Sequence, residues 1–305
     1  MKTPDLSIVI AGIRFKNPVM TASGTFGYGK EFAPFVDLNS LGAIIVKGIS
    51  LEPSAGNPAP RIVETPSGIL NSIGLENIGV NAFVHDKLPF LRTLQTPCIV
   101  NIYGRDISEY AELAARINDI DGIAAIEVNI SCPNVRQGGI LFGTDPQLAF
   151  SVIKAVREKT TLPVIAKLSP NVTDICVISK SVEDAGADAI SLINTIRGMA
   201  IDINTRRPKL AAIVGGLSGP AIAPIALRMV WEVAKTAKVP VIGIGGIMDA
   251  KTALEFLICG ARAVQIGTAN FINPSTTQEV IDGIGKYMAE HNVSDINSLI
   301  GTLVT

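Results

Sequence analysis

The chain has 305 residues, of which 48% are hydrophobic and only 17% charged, a composition typical of an α/β protein with a large buried sheet. Basic and acidic residues number 26 and 27, so the net charge is −1, and the sequence has no basic run of the kind that binds nucleic acid. The first apolar run is too short for a signal peptide and no segment approaches the roughly 20 apolar residues of a membrane span, so we expect a soluble, cytoplasmic protein that contacts no membrane.

The chain begins with a predicted hairpin, residues 6–10 and 13–15 on either side of Ala11-Gly12. Eight short runs rich in Val, Ile and Ala follow, and most are continuously apolar, as strands buried on both faces are. These predicted strands are residues 18–22, 42–46, 98–102, 123–130, 163–168, 189–193, 239–244 and 263–266.

Amphipathic patterns between the strands predict helices over residues 106–120, 145–160, 174–185, 221–236, 249–259 and 273–292. Eight strands, each followed by a helix, predict a (β/α)8 TIM barrel, which we assign to residues 1–305 as one domain. Most strands start about 25 residues apart, one minimal strand–helix unit, but the gaps after strands 2, 4 and 6 are roughly 40 to 56 residues. We therefore expect enlarged loops there, all over the C-terminal mouth of the barrel.

Polar groups stand at nearly every predicted strand end, where a barrel of this kind builds its active site. The last two strands end in Gly243-Ile-Gly-Gly246 and Gly267-Thr268, the place where such barrels hold a phosphate on backbone N–H groups. A phosphate tail with a polar head suits flavin mononucleotide (FMN), and no GxGxxG follows the first strand to bind a dinucleotide.

The candidate base is Cys132, which follows the fourth predicted strand. The four cysteines are far apart, without a CxxC pair, which excludes a disulfide framework, a zinc site and an iron–sulfur cluster on this chain. Lys47 and Lys167 end apolar strands, where a lysine needs an anion, either a substrate carboxylate or the pyrimidine end of a reduced flavin. An alternative role for Lys167 is Schiff-base formation, as in barrel aldolases.

These motifs resemble the class 1 dihydroorotate dehydrogenases over essentially the whole chain. The resemblance is carried by Asn17-Pro-Val-Met, Ala22-Ser-Gly-Thr-Phe-Gly27, Val46-Lys-Gly48, Asn71-Ser-Ile-Gly-Leu75, Asn129-Ile-Ser-Cys-Pro-Asn134, Lys167-Leu-Ser169, Asn194-Thr195 and the two glycine-rich strand ends. It implies oxidation of dihydroorotate to orotate in pyrimidine synthesis, with Cys132 removing the C5 proton while a hydride passes to FMN.

The resemblance also assigns the two binding sets. The flavin set is Ser23, Lys47, Gly48, Asn101, Asn129, Lys167, Ile193, Gly219, Gly245, Gly246, Gly267 and Thr268. The substrate set is Lys47, Asn71, Ser72, Ile73, Gly74, Leu75, Asn129, Asn134, Asn194 and Thr195. No metal is expected.

The continuation after Asn134, from Val135 to Asp145, is most like the catalytic subunit of the NAD-linked heteromeric type. That type implies a second subunit carrying FAD and a 2Fe–2S cluster, and a homodimer of this chain within a heterotetramer. Three alternatives stay open from the sequence: the same reaction with fumarate as acceptor in a homodimer, a Schiff-base lyase using Lys167, and a binding protein that has lost its chemistry.

Overall fold

A computed structural model describes residues 3–131 and 139–305 of the chain. The first element is the predicted hairpin, strands β1 (Ile8–Ile10) and β2 (Ile13–Phe15), which pair antiparallel. Ala11 and Gly12 both have positive φ, 49° and 80°, as the tightest two-residue hairpin turn requires.

The remaining strands, in chain order, are β3 (Val19–Thr21), β4 (Ile44–Ile45), β5 (Ile62–Thr65), β6 (Gly68–Asn71), β7 (Cys98–Ile102), β8 (Ala125–Asn129), β9 (Val164–Lys167), β10 (Ala189–Leu192), β11 (Ile196–Met199), β12 (Ile201–Asp202), β13 (Arg207–Pro208), β14 (Val214–Ser218), β15 (Val241–Ile244) and β16 (Ala263–Ile266). Eight of them form one parallel sheet in the order β3-β16-β15-β10-β9-β8-β7-β4. A parallel bridge between Met20 and Ala43 joins its two edges, so the sheet closes into a ring. The predicted barrel is confirmed.

The helices are α1 (Gly79–Ala82), α2 (Leu88–Leu91), α3 (Ile107–Asn118), α4 (Gly139–Thr144), α5 (Pro146–Arg157), α6 (Ile175–Asp184), α7 (Ala223–Thr236), α8 (Ala250–Ile258), α9 (Ala269–Ile272) and α10 (Thr276–Glu290). A π-helical turn, Phe83–Lys87, joins α1 to α2. Short 3-10 helices occur at Lys30–Phe32, Leu38–Ser40, Pro220–Ile222 and Ile296–Ser298. Four of the helices, α3, α5, α6 and α8, begin at an Asp whose side chain accepts a backbone N–H of the first turn.

The connection from β3 to β4 departs from the expected strand–helix alternation. It contains only the 3-10 helices Lys30–Phe32 and Leu38–Ser40, so the prediction of a helix after every strand is wrong at this position. Gly27 and Gly29 have positive φ, and Pro34 lacks a backbone donor, so an α-helix cannot run through this segment.

Two of the enlarged connections form a structure of their own. The insertion between β4 and β7 supplies β5 and β6, and the one between β10 and β15 supplies β11 and β14, and together these make an antiparallel sheet in the order β11-β14-β6-β5. We call it the lid sheet. The expectation of enlarged loops was therefore incomplete, because these loops pair with each other across the barrel mouth.

The barrel strands are buried throughout, with β7, β8, β9, β10, β15 and β16 showing no exposed residue. Continuous apolar strands are what a sheet covered on both faces needs. Across the described residues, none of the helices has both the length and the apolar character to cross a membrane.

Candidate active site

A cavity of about 320 Å³ opens at the C-terminal end of the barrel strands, with residues of the lid sheet forming part of its wall. Its volume falls in the range of small-molecule sites. Every member of the predicted flavin set lines it: Ser23, Lys47, Gly48, Asn101, Asn129, Lys167, Ile193, Gly219, Gly245, Gly246, Gly267 and Thr268. These residues come from the ends of all eight barrel strands and from one insertion, and the barrel brings them together.

Most of the predicted substrate set lines the same cavity, namely Lys47, Asn71, Ile73, Gly74, Leu75, Asn129, Asn194 and Thr195. Ser72 is the exception, because it is fully buried outside the cavity lining and its backbone carbonyl accepts the Asn57 amide at 2.9 Å. Cys132 and Asn134 lie outside the described residues, so their predicted roles stay predictions.

The amides of Asn129 and Asn194 meet at the end of β8. Asn194 Nδ2 donates to Ser131 Oγ at 2.8 Å and lies 3.4 Å from Asn129 Oδ1. Ser131 donates its backbone N–H and its hydroxyl to Asn129 Oδ1, at 3.2 and 3.0 Å. Two predicted binding residues therefore hold the residue that directly precedes Cys132.

Glu127 of β8 is a buried carboxylate that was not predicted from the sequence as a site residue. Its side chain is fully buried, and Oε1 accepts from Asn101 Nδ2 at 2.7 Å and lies 3.3 Å from Lys167 Nζ. Oε2 accepts from Ser191 Oγ at 2.9 Å and from Gln265 Nε2 at 2.7 Å. An acidic residue inside an otherwise apolar predicted strand was the available signal, the same one that identified Lys167.

This ion pair changes the interpretation of Lys167. The position of Lys167 at the end of an apolar strand predicted an anionic ligand to compensate its charge, whereas the structure has an internal carboxylate there. Lys47 differs, because it is half-buried at the cavity wall and has no ion-pair partner among the residues the structure describes. Of the two lysines, Lys47 is the one left to meet a ligand's charge.

The glycine-rich strand ends approach their neighbours too closely for a side chain. Gly245 and Gly246 have φ of 128° and 70°, and a Cβ on either would lie 2.7 Å from the Cβ of Ala226 or Ala223, respectively. Both positions therefore require glycine on conformational and steric grounds. Nearby, Thr268 Oγ1 donates to Ser218 Oγ at 2.8 Å, so a hydroxyl pair lies at the same end of the cavity.

The three described cysteines do not contribute to the cavity. Cys98 is buried at the start of β7, where burial raises the pKa of its thiol to about 12. Burial also raises the pKa of Cys176 and of Cys259. A thiol with a raised pKa is a poor nucleophile at neutral pH, and none of these three lines the site.

The architecture and the cavity define a TIM-barrel enzyme that works at the C-terminal face of its strands. The family model described as "Dihydroorotate dehydrogenase" matches residues 5–288, and the chain belongs to that family. It is 61% identical over 305 residues to a dihydroorotate dehydrogenase B (NAD(+)) catalytic subunit of Geotalea uraniireducens, with all of both chains covered. It is 60% identical over 303 residues to the protein of the same name from Geobacter sulfurreducens, with 99% of each chain covered.

A solved structure shares the fold. The chain is similar to dihydroorotate dehydrogenase from Eimeria tenella in complex with ferulenol, with a TM-score of 0.80 and 22% sequence identity. The match covers 98% of this chain and 88% of that one. At this identity the likeness supports the fold alone.

Proposed function

We propose that this chain oxidises dihydroorotate to orotate in pyrimidine biosynthesis, as the catalytic subunit of an NAD-linked dihydroorotate dehydrogenase. The observation that carries the proposal is the convergence of the whole predicted flavin set and most of the predicted substrate set on one cavity. The relatives named above, full-length and about 60% identical, bear that activity in their names.

Two features of the cavity fit FMN. The positive-φ glycines Gly245 and Gly246 leave a cradle that a Cβ would fill, and backbone N–H groups bared in this way suit a phosphate. Asn101 Oδ1 is a buried acceptor with no partner in the described part of the chain, available to a ligand N–H. FMN would supply the hydride acceptor when bound.

The substrate end of the proposal rests on the amide cluster. Asn71, Asn129 and Asn194 line the cavity with amide side chains, the residue type that suits the ring amides of dihydroorotate, and the ammonium of Lys47 suits its carboxylate. We propose that Cys132, which follows Ser131 directly, takes the C5 proton as general base. Asn134 would contact the substrate alone and Asn129 both ligands.

Electrons would leave through a partner. The chain has neither a dinucleotide fingerprint nor four clustered cysteines, so we propose a second subunit with FAD and a 2Fe–2S cluster that passes electrons to NAD. A homodimer of this single-domain chain would form the centre of a cytoplasmic heterotetramer. The words "NAD(+)" and "catalytic subunit" in the names of the relatives support this over direct reduction of fumarate.

The Schiff-base alternative is opposed by one contact. A lyase would need the Lys167 amine free to attack a carbonyl. In the structure Lys167 Nζ lies 3.3 Å from the buried Glu127 carboxylate, so that ion pair engages the atom a nucleophile would use.

The test is anaerobic reduction. Purified protein should be yellow, contain about one FMN per chain, and bleach when dihydroorotate is added without oxygen. A preparation that takes up no flavin, or a bound flavin that dihydroorotate leaves oxidised, would exclude the proposal. Co-purification with a chain bringing FAD, iron and NAD-reducing activity would establish the acceptor, whereas efficient fumarate reduction by this chain alone would contradict it.

A further inference from the structure

Glu127 of β8 is hydrogen-bonded to side chains of four other barrel strands beneath the cavity. Its four partners, Asn101, Lys167, Ser191 and Gln265, belong to β7, β9, β10 and β16. Two of them, Asn101 and Lys167, also line the cavity. A single carboxylate therefore lies one side chain away from any ligand bound there.

The orientation of the surrounding amides follows from this carboxylate. Asn101 and Gln265 both turn their amide nitrogens to Glu127, at 2.7 Å each. Their oxygens, Asn101 Oδ1 and Gln265 Oε1, are then left buried without a partner in the parts of the chain that the structure describes. A buried acceptor without a partner is costly. The negative charge of Glu127 offsets this cost by attracting both amide nitrogens, and next to an uncharged residue the two amides would not adopt this orientation.

The electrostatic consequence concerns Lys167. The side chain of Glu127 is 0% exposed and that of Lys167 6% exposed, so neither charge is screened by water. Two opposite charges 3.3 Å apart act on a more distant ligand as a dipole rather than as a full positive charge. Without Glu127, the same ligand would meet an uncompensated cation.

We propose that Glu127 is a positioning residue that holds Lys167 and Asn101 against the flavin site and offsets the charge of Lys167, which keeps the reduction potential of bound FMN low. The inference rests on the proposed function. Uptake of a hydride adds two electrons and one proton to the flavin and leaves its ring with one additional negative charge. An uncompensated Lys167 would favour that reduced form, and the Glu127 carboxylate opposes this, so electrons pass on more readily.

The experiment measures the midpoint potential of bound FMN by equilibrium reduction against a reference dye. Glu127→Gln removes the charge at nearly constant shape, and Ser191→Ala is the matched control, because it removes one hydrogen bond to Glu127 and keeps the charge. A third variant, Glu127→Gln combined with Lys167→Met, removes both charges of the buried ion pair. FMN content and reduction by dihydroorotate are measured first on the unaltered protein, because failure there contradicts the proposed function itself.

We expect Glu127→Gln to raise the potential by at least about 30 mV, a tenfold change in the two-electron equilibrium constant. Ser191→Ala should leave the midpoint potential near that of the unaltered protein, and the potential of the double variant should lie closer to that value than the potential of Glu127→Gln does. An equal shift in Glu127→Gln and Ser191→Ala would show a packing effect and overturn the proposal, as would no shift at all. If Glu127→Gln fails to retain FMN, the thermal unfolding temperatures of the variants are compared instead. Because Glu127→Gln leaves Lys167 buried without a counter-charge, the double variant should unfold at a higher temperature than the single variant. A double variant that unfolds at a lower temperature would overturn the proposal that Glu127 offsets the charge of Lys167.

Discussion

The side-chain amide of Asn194 donates a hydrogen bond to the hydroxyl of Ser131 at 2.8 Å, and the same hydroxyl donates to Asn129 Oδ1 at 3.0 Å. These contacts connect the end of β8 to the segment after β10. Because Ser131 precedes the proposed base by one residue, the contacts also fix where the chain leaves the strand. Their removal should therefore affect proton abstraction more than folding.

Ser131→Ala removes both hydrogen bonds of the hydroxyl. It is expected to lower kcat/KM for dihydroorotate about five- to thirtyfold, the equivalent of about 1 to 2 kcal/mol at roughly 0.5 to 1 kcal/mol per hydrogen bond. FMN content should be unchanged. The control is Ser151→Ala on the exposed side of α5, whose hydroxyl contacts only the preceding turn in the described structure. Anaerobic single-turnover reduction is the measurement, and equal rates in the two variants would contradict the role of Ser131.

Cys132→Ser should slow flavin reduction by about 100-fold or more at neutral pH, because an alcohol is a much weaker base than a thiolate. The rate of the variant should rise with pH where that of the unaltered protein has levelled off. Cys176→Ser is the control, since Cys176 is half-buried on α6 and does not line the cavity. A Cys132→Ser protein with near-normal rates would assign proton abstraction to another residue.

Much of the barrel could be predicted from the sequence because its strands are short, apolar and locally recognisable. The hairpin turn at Ala11 and Gly12 and the Asp caps are also local signals, each visible within a few residues. The lid sheet is different, because it pairs Asn71 with Gly216, across 145 residues. Its strand β14 contains two glycines and has no apolar alternation, so nothing local marks it as a strand.

The site shows the same division. The strand-end amides and glycines could be identified individually, since a barrel brings strand ends together whatever the loops do. Glu127 could not be assigned, because its role depends on partners from four strands meeting inside the ring. The side chain of Ser72 is buried outside the cavity lining for a similar reason: its position follows from the pairing of the lid sheet.

The lid sheet leads to a prediction about substrate affinity. A Cβ on Gly216 would lie 1.9 Å from Thr195 Oγ1, so Gly216→Ala must displace a proposed substrate contact. We expect the KM for dihydroorotate to rise about tenfold or more, with FMN content retained. The control is Gly198→Ala on the neighbouring strand β11, where the new Cβ would meet only flexible side-chain atoms, the nearest being Leu70 Cδ2 at 3.0 Å. A similar KM for dihydroorotate in both variants would show that Thr195 does not contribute to substrate binding.

The phosphate end of the cavity can be tested in isolation. Gly246→Ala places a side chain at φ 70° and 2.7 Å from the backbone nitrogen of Ala223, so the cradle must open. The protein should purify with little FMN and bind added FMN at least about tenfold more weakly. Gly285→Ala in α10 is the matched control, because a Cβ there meets nothing within 4 Å and alanine stabilises a helix. Full FMN occupancy in Gly246→Ala would place the phosphate elsewhere.

Stability should depend on pH through the cap of α8. Hydrogen bonds from the backbone N–H and hydroxyl of Thr252 lower the pKa of Asp249 below its usual value of 3.8. A carboxyl whose pKa is lower in the folded than in the unfolded state stabilises the protein at pH values above its unfolded pKa. This stabilisation is lost as the pH falls through the folded pKa. Asp249→Ala should therefore cost about 1 kcal/mol of unfolding free energy at pH 7, and Asp249→Asn less, because its amide oxygen still accepts.

The measurement is urea unfolding of FMN-loaded protein at pH 7 and at successively lower pH below 4. The advantage of the unaltered protein over Asp249→Asn should shrink as the pH falls, since protonated Asp249 loses its charge and accepts the Thr252 N–H no better than an amide does. Asp121→Asn, at an exposed turn, provides the control for removing a carboxylate without removing a cap. A difference between the unaltered protein and Asp249→Asn that stays constant down to the lowest pH would show that the charge of Asp249 contributes nothing, and that its hydrogen-bond geometry alone caps the helix.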